Sequence, residues 1–326
     1  MDKPQYSSQA IGVLDTSIAS ENYGDFLIMD ACRRILDDNF PSAHKIFFTS
    51  HEKLGIKSYR LQKSVAYNIA CGTNLLHSHM SLIKQWHVGI KDVFFLKPVV
   101  LLGVGWRSKK SRKTDIYTKW LLKKLLSRDH IHSVRDSYAE EKLKEIGIHN
   151  VVNTACPTMW HLDAAHCSQI PAEKGENVVL VLTDYSQSRE DDRQLINMLR
   201  EEYKKIYLWC QGRRDYQYFC SLTYLTGIHV LDANVKPYNE LLADPSISVD
   251  YVGTRLHAGI RALQYKRRAS IIGVDHRALE KGKNFNLPVI DRYSSLERLR
   301  GFVREKRATE IFLPEEHIQS WLDQFH

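Results

Sequence analysis

Neither G-x-G-x-x-G nor G-x-x-x-x-G-K-[ST] occurs in the 326 residues. That absence disfavours nicotinamide and P-loop triphosphate enzymes, whose backbones must close on phosphate. The six cysteines (32, 71, 156, 167, 210 and 220) include no CxxC pair. This argues against a zinc ribbon or a small disulfide scaffold and suits a reducing compartment. The fifteen histidines are scattered, and His77 and His79 lack a carboxylate at a recognisable ligand spacing, so no metal site is read. The longest apolar run, VFFLKPVVLLGVGW, is broken by Lys97 and Pro98 and falls short of the ~20 residues that span a bilayer. The opening MDKPQYSSQA lacks the basic-then-apolar pattern of a secretory leader. A cytoplasmic protein is expected, at most peripheral to the inner membrane face. Internal repeats and low-complexity tracts are also missing.

What is present reads as a folded chain: 43% hydrophobic and 26% charged residues. A net charge of +8 suggests anionic company. Part of it sits in RSKKSRK (107–113) and YKRR (265–268). Nucleic acid is not expected, because no recognised binding motif accompanies these runs. The first run precedes an amphipathic segment containing Trp120, which leaves room for attraction to anionic lipid.

Apolar runs alternate with amphipathic stretches. Strands are expected at 10–15, 45–50, before Gly72, at 98–106 and at 131–136. Helices are expected at 25–38, at 114–127 and after Asp136, the last stopped by Gly147. After the polar stretch SQIPAEKGEN the pattern restarts, with strands at 178–184, 205–211, 228–233, 248–253 and 269–274. Helices are expected there at 189–203, near 213–226 and from Arg255. The predicted class is α/β, with two Rossmann-like domains built on parallel sheets. The expected domains are 1–167 (acceptor side, with a first-loop site), a linker at 168–177, and 178–310. A C-terminal helix in 311–326 would cross back to the first domain.

In such sheets ligands sit beyond the carboxyl ends of strands, so the strand-to-helix loops are the places to search. In DYVGTRLHAGIRALQY (250–265), Arg255 and His257 are the first polar side chains past an apolar strand, beside the unsatisfied N–H groups of a new helix. Arginine suits carboxylate or phosphate oxygens, and histidine titrates near neutrality. The plain alternative is a helix start with two incidental polar residues. In ASENYGDFLIMD, Gly24 allows a tight turn, while Asn22 and Asp25 are equally good capping residues in any protein. In ACGTNLL, Gly72 and Thr73 offer a small polar loop that could cradle phosphate. In SVRDSYAEEKL, Arg135 precedes a helix N-cap, where it could meet an anion or form a surface pair with Asp136.

Three blocks, NYGDFLIMDACRRIL, SVRDSYAEEKLKEIGI and DYVGTRLHAGIRAL, occur in an order that resembles the polysaccharide pyruvyl transferase family, over roughly residues 10–295. The resemblance implies a GT-B-like arrangement of the two domains. It also implies transfer of an enolpyruvyl-derived unit from phosphoenolpyruvate to a sugar of a surface or exopolysaccharide, or its precursor, leaving a pyruvate ketal. It assigns Arg255 and His257 to donor binding and catalysis and makes Arg135 a second donor contact. Asn22, Gly24 and Asp25 fall at the first-loop site. His257 suits a general acid, and Asp25 either a base on the sugar hydroxyl or a cap. The chemistry calls for no cofactor and no metal, phosphoenolpyruvate being a co-substrate. The acceptor could be lipid-linked. The chain departs from the family at Cys71-Gly72-Thr73-Asn74, where a triple-glycine turn is usual, and at Cys156-Pro157, where Asp-Pro is usual. The family's late lysine is placed at Lys283, with Lys281 the alternative. Two other readings use the same loops. One is a glycosyltransferase using a nucleotide sugar, for which Asp275 is the acidic candidate near the key turn. The other is a non-catalytic glycan-binding member.

Overall fold

A computed structural model describes residues 10–107 and 113–326. Most of the basic run at 107–113, and the opening residues before Ala10, therefore lie outside the described residues. The chain divides into two compact units. The first comprises 1–20, 28–160 and 314–326, and the second 21–27 and 161–313.

In the first unit, strands β1 (Ala10–Asp15), β2 (His44–Thr49), β3 (Val65–Cys71) and β4 (Val99–Leu102) form a parallel sheet in the order β2-β1-β3-β4. All six residues of β1 and all four of β4 are buried. This is why both read as runs without alternation: helices cover both faces of a parallel sheet. The expected strand over 98–106 ends its ladder at Leu102. Gly103 turns the chain with φ +63, a conformation that favours glycine, and packs against the Pro157 ring where a Cβ would collide. Beyond it, Val104 and Trp106 make single bridges to Val134 and Leu76. The first of these joins the short parallel pair β5 (His132–Val134) and β6 (Val151–Asn153) to the end of β4. The last helix, Glu315–Asp323, belongs to this unit. Its fully buried Trp321 donates Nε1–H to the carbonyl of Leu101 at 3.1 Å.

The second unit holds six parallel strands: β7 (Asn177–Val181), β8 (Lys205–Leu208), β9 (Ile228–Val230), β10 (Val249–Gly253), β11 (Ala269–Gly273) and β12 (Val289–Asp291). Their order is β12-β11-β10-β7-β8-β9. The chain winds outward in one direction from β7 to β9 and then in the other from β10 to β12. The β7–β10 seam is therefore the topological switch point, where a doubly wound sheet opens a crevice at its carboxyl edge. Residues 161–167, expected at the end of the first domain, belong to this unit. The short helix Ala164–Cys167 is fixed by a 2.8 Å contact between His166 Nε2 and the Leu263 carbonyl.

Candidate functional site

Both strands at the switch point deliver polar residues. β7 runs through Leu182 and Thr183 to Asp184, and β10 through Thr254 to Arg255, with the Thr254 N–H donating to the Val181 carbonyl at 2.8 Å. Arg255 is the N-cap of the helix Leu256–Gln264, with extended backbone. Its carbonyl accepts from the Tyr251 hydroxyl at 2.6 Å. His257 stands half-buried in the first turn.

The arginine is only 5% exposed. Its Nε donates to Asp215 Oδ2 at 3.1 Å, its Nη2 donates to Asp215 Oδ1, and Nη2 also reaches Asp184 Oδ1 at 3.3 Å. The Tyr185 ring lies 5.0 Å from Cζ. Asp215 also accepts from the N–H groups of Gly212 at 2.8 Å and Asp184 at 3.0 Å. Burial pushes its carboxyl up from the ordinary value, against the opposing pull of the guanidinium and those N–H groups. One bidentate edge is held by a buried carboxylate, because an arginine this far from water needs a counter-charge.

The first-loop residues meet the same turn. Asn22 bridges to Gly212, the Tyr23 N–H donates to the Gln211 carbonyl at 2.9 Å, and Gln211 Nε2 donates to Asn22 Oδ1 at 2.9 Å. The same Asn22 oxygen accepts from the Gly24 N–H at 3.1 Å, so Asn22 caps as its type suggests. Gly212 carries no side chain for a steric reason: a Cβ there would run into Arg255 Nη2. Aromatic contacts hold the segment down. The Tyr23 ring lies 6.2 Å from that of Trp209, which stacks on Tyr238 at 4.2 Å. Asp25 is buried in the first turn of the helix Tyr23–Asn39. Within the second unit, then, Asn22, Gly24, Gln211, Gly212, Asp215 and Arg255 form one connected group.

Arg135 belongs to a separate group in the first unit. It is 4% exposed, its Nη2 donates to Asn74, and Asp136 Oδ2 lies 3.9 Å from its Nε. Asp136 also caps the helix Ser137–Glu145 by accepting from the Ala139 N–H at 2.9 Å. Gly72 and Thr73 both adopt positive φ (+56 and +46). The Thr73 carbonyl accepts from the Gly105 N–H at 2.7 Å, and a Cβ on Gly105 would strike Arg135 and Asn74. The sequence-predicted Gly72, Thr73 and Arg135 are thus neighbours. Lys283 is exposed on the helix His276–Phe285 and makes no hydrogen bond to either group, whereas Lys281 is buried with its ammonium 5.6 Å from the Phe285 ring centre. Asp275 caps that helix, accepting from the Ala278 N–H at 3.1 Å. Among the described residues no three His, Cys, Asp or Glu side chains gather to hold a metal, and no helix is long and apolar enough to cross a membrane.

Sequence reasoning missed Asn74, Asp184, Gln211, Gly212 and Asp215. The signal for the last three was available in the stretch QGRRD: a glycine followed by an acid just past a buried parallel strand.

A family model described as polysaccharide pyruvyl transferase matches residues 22–276. No curated protein matches the chain. Among solved structures, the S. aureus MnaA–UDP co-structure is similar, with a TM-score of 0.50 at 10% identity, covering 98% of each chain. The Arabidopsis thaliana UGT89C1 complex with UDP-L-rhamnose has a TM-score of 0.47 at 10% identity, covering 98% of this chain and 93% of that one. The MnaA likeness is one of fold, in keeping with the expected GT-B-like class.

Proposed function

The chain belongs to the polysaccharide pyruvyl transferase family, and from that premise we propose that it forms a pyruvate ketal on a sugar of a surface polysaccharide or its precursor, with phosphoenolpyruvate as donor. The observation that carries the reading is the meeting of two motif blocks at the β7–β10 switch point: the Asn22–Asp25 segment is hydrogen-bonded to the turn that packs on Arg255, one residue before the helix that bears His257.

The reaction balances as follows. The methylene carbon of phosphoenolpyruvate takes one proton, two acceptor hydroxyl oxygens bond to the central carbon and lose one proton each, and the bond from that carbon to the phosphate oxygen breaks. One hydroxyl proton makes good the one given to the methylene carbon, and the other leaves with inorganic phosphate. His257 delivers the carbon-bound proton, imidazole being the side chain that most often serves as a general acid. Arg255 acts chiefly as a positioning residue. Held along one edge by Asp215, it fixes the helix start and presents its Nη1 side to the donor. The N–H groups at the start of the helix Leu256–Gln264 supply further stabilisation of the anion. Asp25 accepts a proton from a sugar hydroxyl, and Lys283 is the remaining candidate for the phosphate.

The test is incubation with phosphoenolpyruvate and candidate sugars, following phosphate release and the mass of the product. The reading expects an acceptor-dependent release that His257→Ala lowers by about a hundredfold or more. Equal release by wild type and variant removes His257 from the mechanism. Consumption of a nucleotide sugar alone overturns the proposal in favour of glycosyl transfer.

A further inference from the structure

We propose that the first unit carries a docking surface for an anionic lipid bilayer, formed by the helices Ile56–Leu61, Ile90–Phe95 and Ile116–Leu125. Exposed apolar side chains are ordinary when scattered, but these are concentrated. Ile116 is 86% exposed, Leu82 81%, Phe94 75% and Ile56 74%, and Ile90 and Phe95 are also exposed. They are joined through their neighbours. Ile56, Ile90, Tyr59 and Tyr117 line one cavity of about 520 Å³. The Tyr59 ring lies 5.1 Å from Phe95, and Tyr117 lies 6.3 Å from Trp120. The His79–Asp115 pair, at 3.1 Å, ties the turn leading to Leu82 to the N-cap of the helix that opens with Ile116.

The charge on the same stretch is one-sided. Residues 53–124 contain fifteen lysines and arginines against two acids, Asp92 and Asp115. Their excess of positive charge exceeds the +8 of the whole chain, so the remainder is net acidic. Both acids are committed internally. Asp92 is buried, accepting from the Gly89 N–H at 2.7 Å and the Tyr59 hydroxyl at 3.1 Å, and Asp115 caps Thr118. Lys57, Lys91 and Lys119 are exposed on the three helices, and the exposed Lys53 and Lys84 line the same cavity. Aliphatic and aromatic tips ringed by long ammonium side chains suit the boundary between acyl chains and phosphate headgroups, where the tips enter and the lysines reach back. Nucleic acid fits less well, because isoleucine and leucine tips offer no stacking face to a base.

The experiment is flotation of the full-length protein with vesicles of phosphatidylcholine, or of equal parts phosphatidylcholine and phosphatidylglycerol, at low and high salt. Association is expected with the anionic vesicles only and is expected to fall with salt. Phe94→Asp combined with Ile116→Asp, and Lys57→Glu combined with Lys91→Glu, should each weaken it by about tenfold or more. These side chains are exposed, so the unfolding midpoint should not move. Phosphate release on a water-soluble acceptor should also be unchanged, which separates this proposal from the transfer reading. No association at low salt, equal association with neutral vesicles, or full association of both double variants overturns it. So does concentration-dependent self-association that Phe94→Asp abolishes, since the face would then belong to a second copy of the chain.

Discussion

Acid should destabilise this protein through one histidine, and the cost can be worked from its surroundings. His132 lies in β5 with no exposed surface. Its Nδ1 accepts from the Leu101 N–H at 3.3 Å, and its Nε2–H donates to the Ser127 carbonyl at 2.9 Å. The neutral ring therefore satisfies both neighbours, and a second proton would face a donor. Burial lowers its pKa from 6.5 to about 4, with the Ser127 carbonyl opposing and His130 adding slightly. The folded value lies below the unfolded one, so the stabilisation is complete above pH 6.5. It declines as the unfolded chain takes up the proton and is gone below about pH 4. At ~1.4 kcal/mol per pH unit, the loss across that window is about 3 kcal/mol. Urea unfolding of wild type and His132→Gln at stepped pH values measures it, with ring-proton NMR reporting the titration. The variant should be less stable at pH 7.5 yet lose less on acidification. Parallel pH profiles, or a ring titrating near 6.5 in the folded protein, would refute the reasoning.

Removing the carboxylate in Asp215→Ala leaves the Arg255 guanidinium buried with Asp184 alone at 3.3 Å and should cost about 3–5 kcal/mol; urea unfolding followed by tryptophan fluorescence would show it. Replacing both partners with Arg255→Met and Asp215→Leu should recover most of that stability while lowering turnover of phosphoenolpyruvate, which steady-state phosphate release would follow. Trp321→Ala, which vacates a fully buried site under Leu101 and Trp160, should cost about 3–5 kcal/mol in the same unfolding measurement.

Much of each candidate group was legible in the sequence because its signals are local. Arg255 and His257 follow an unbroken apolar strand, Asn22 and Gly24 precede a periodic helix, and Arg135 precedes a capping aspartate. Those spacings are set by strand ends and helix starts, which one segment can reveal. The partner of Arg255 was not visible, since Asp215 is forty residues away, past the end of β8, and meets it only because the sheet sets just one strand, β7, between β8 and β10. The same non-locality hid the affiliation of residues 21–27, which depends on Trp209 and Gln211. Among the elements, β6 is three residues long and carries too little pattern to be read. The helix Val235–Ala243 was masked by Pro237, which a first turn tolerates because its N–H has no acceptor there.

The ownership of two short segments constrains how the chain can mature. Residues 21–27 are synthesised early yet are completed by partners made far downstream, and the first unit receives its closing helix only from 314–326. Neither body can be whole when a ribosome has passed residue 160. A gene severed there would yield two fragments, each missing a strip held by the other, and production of the halves would call for grafting those strips back.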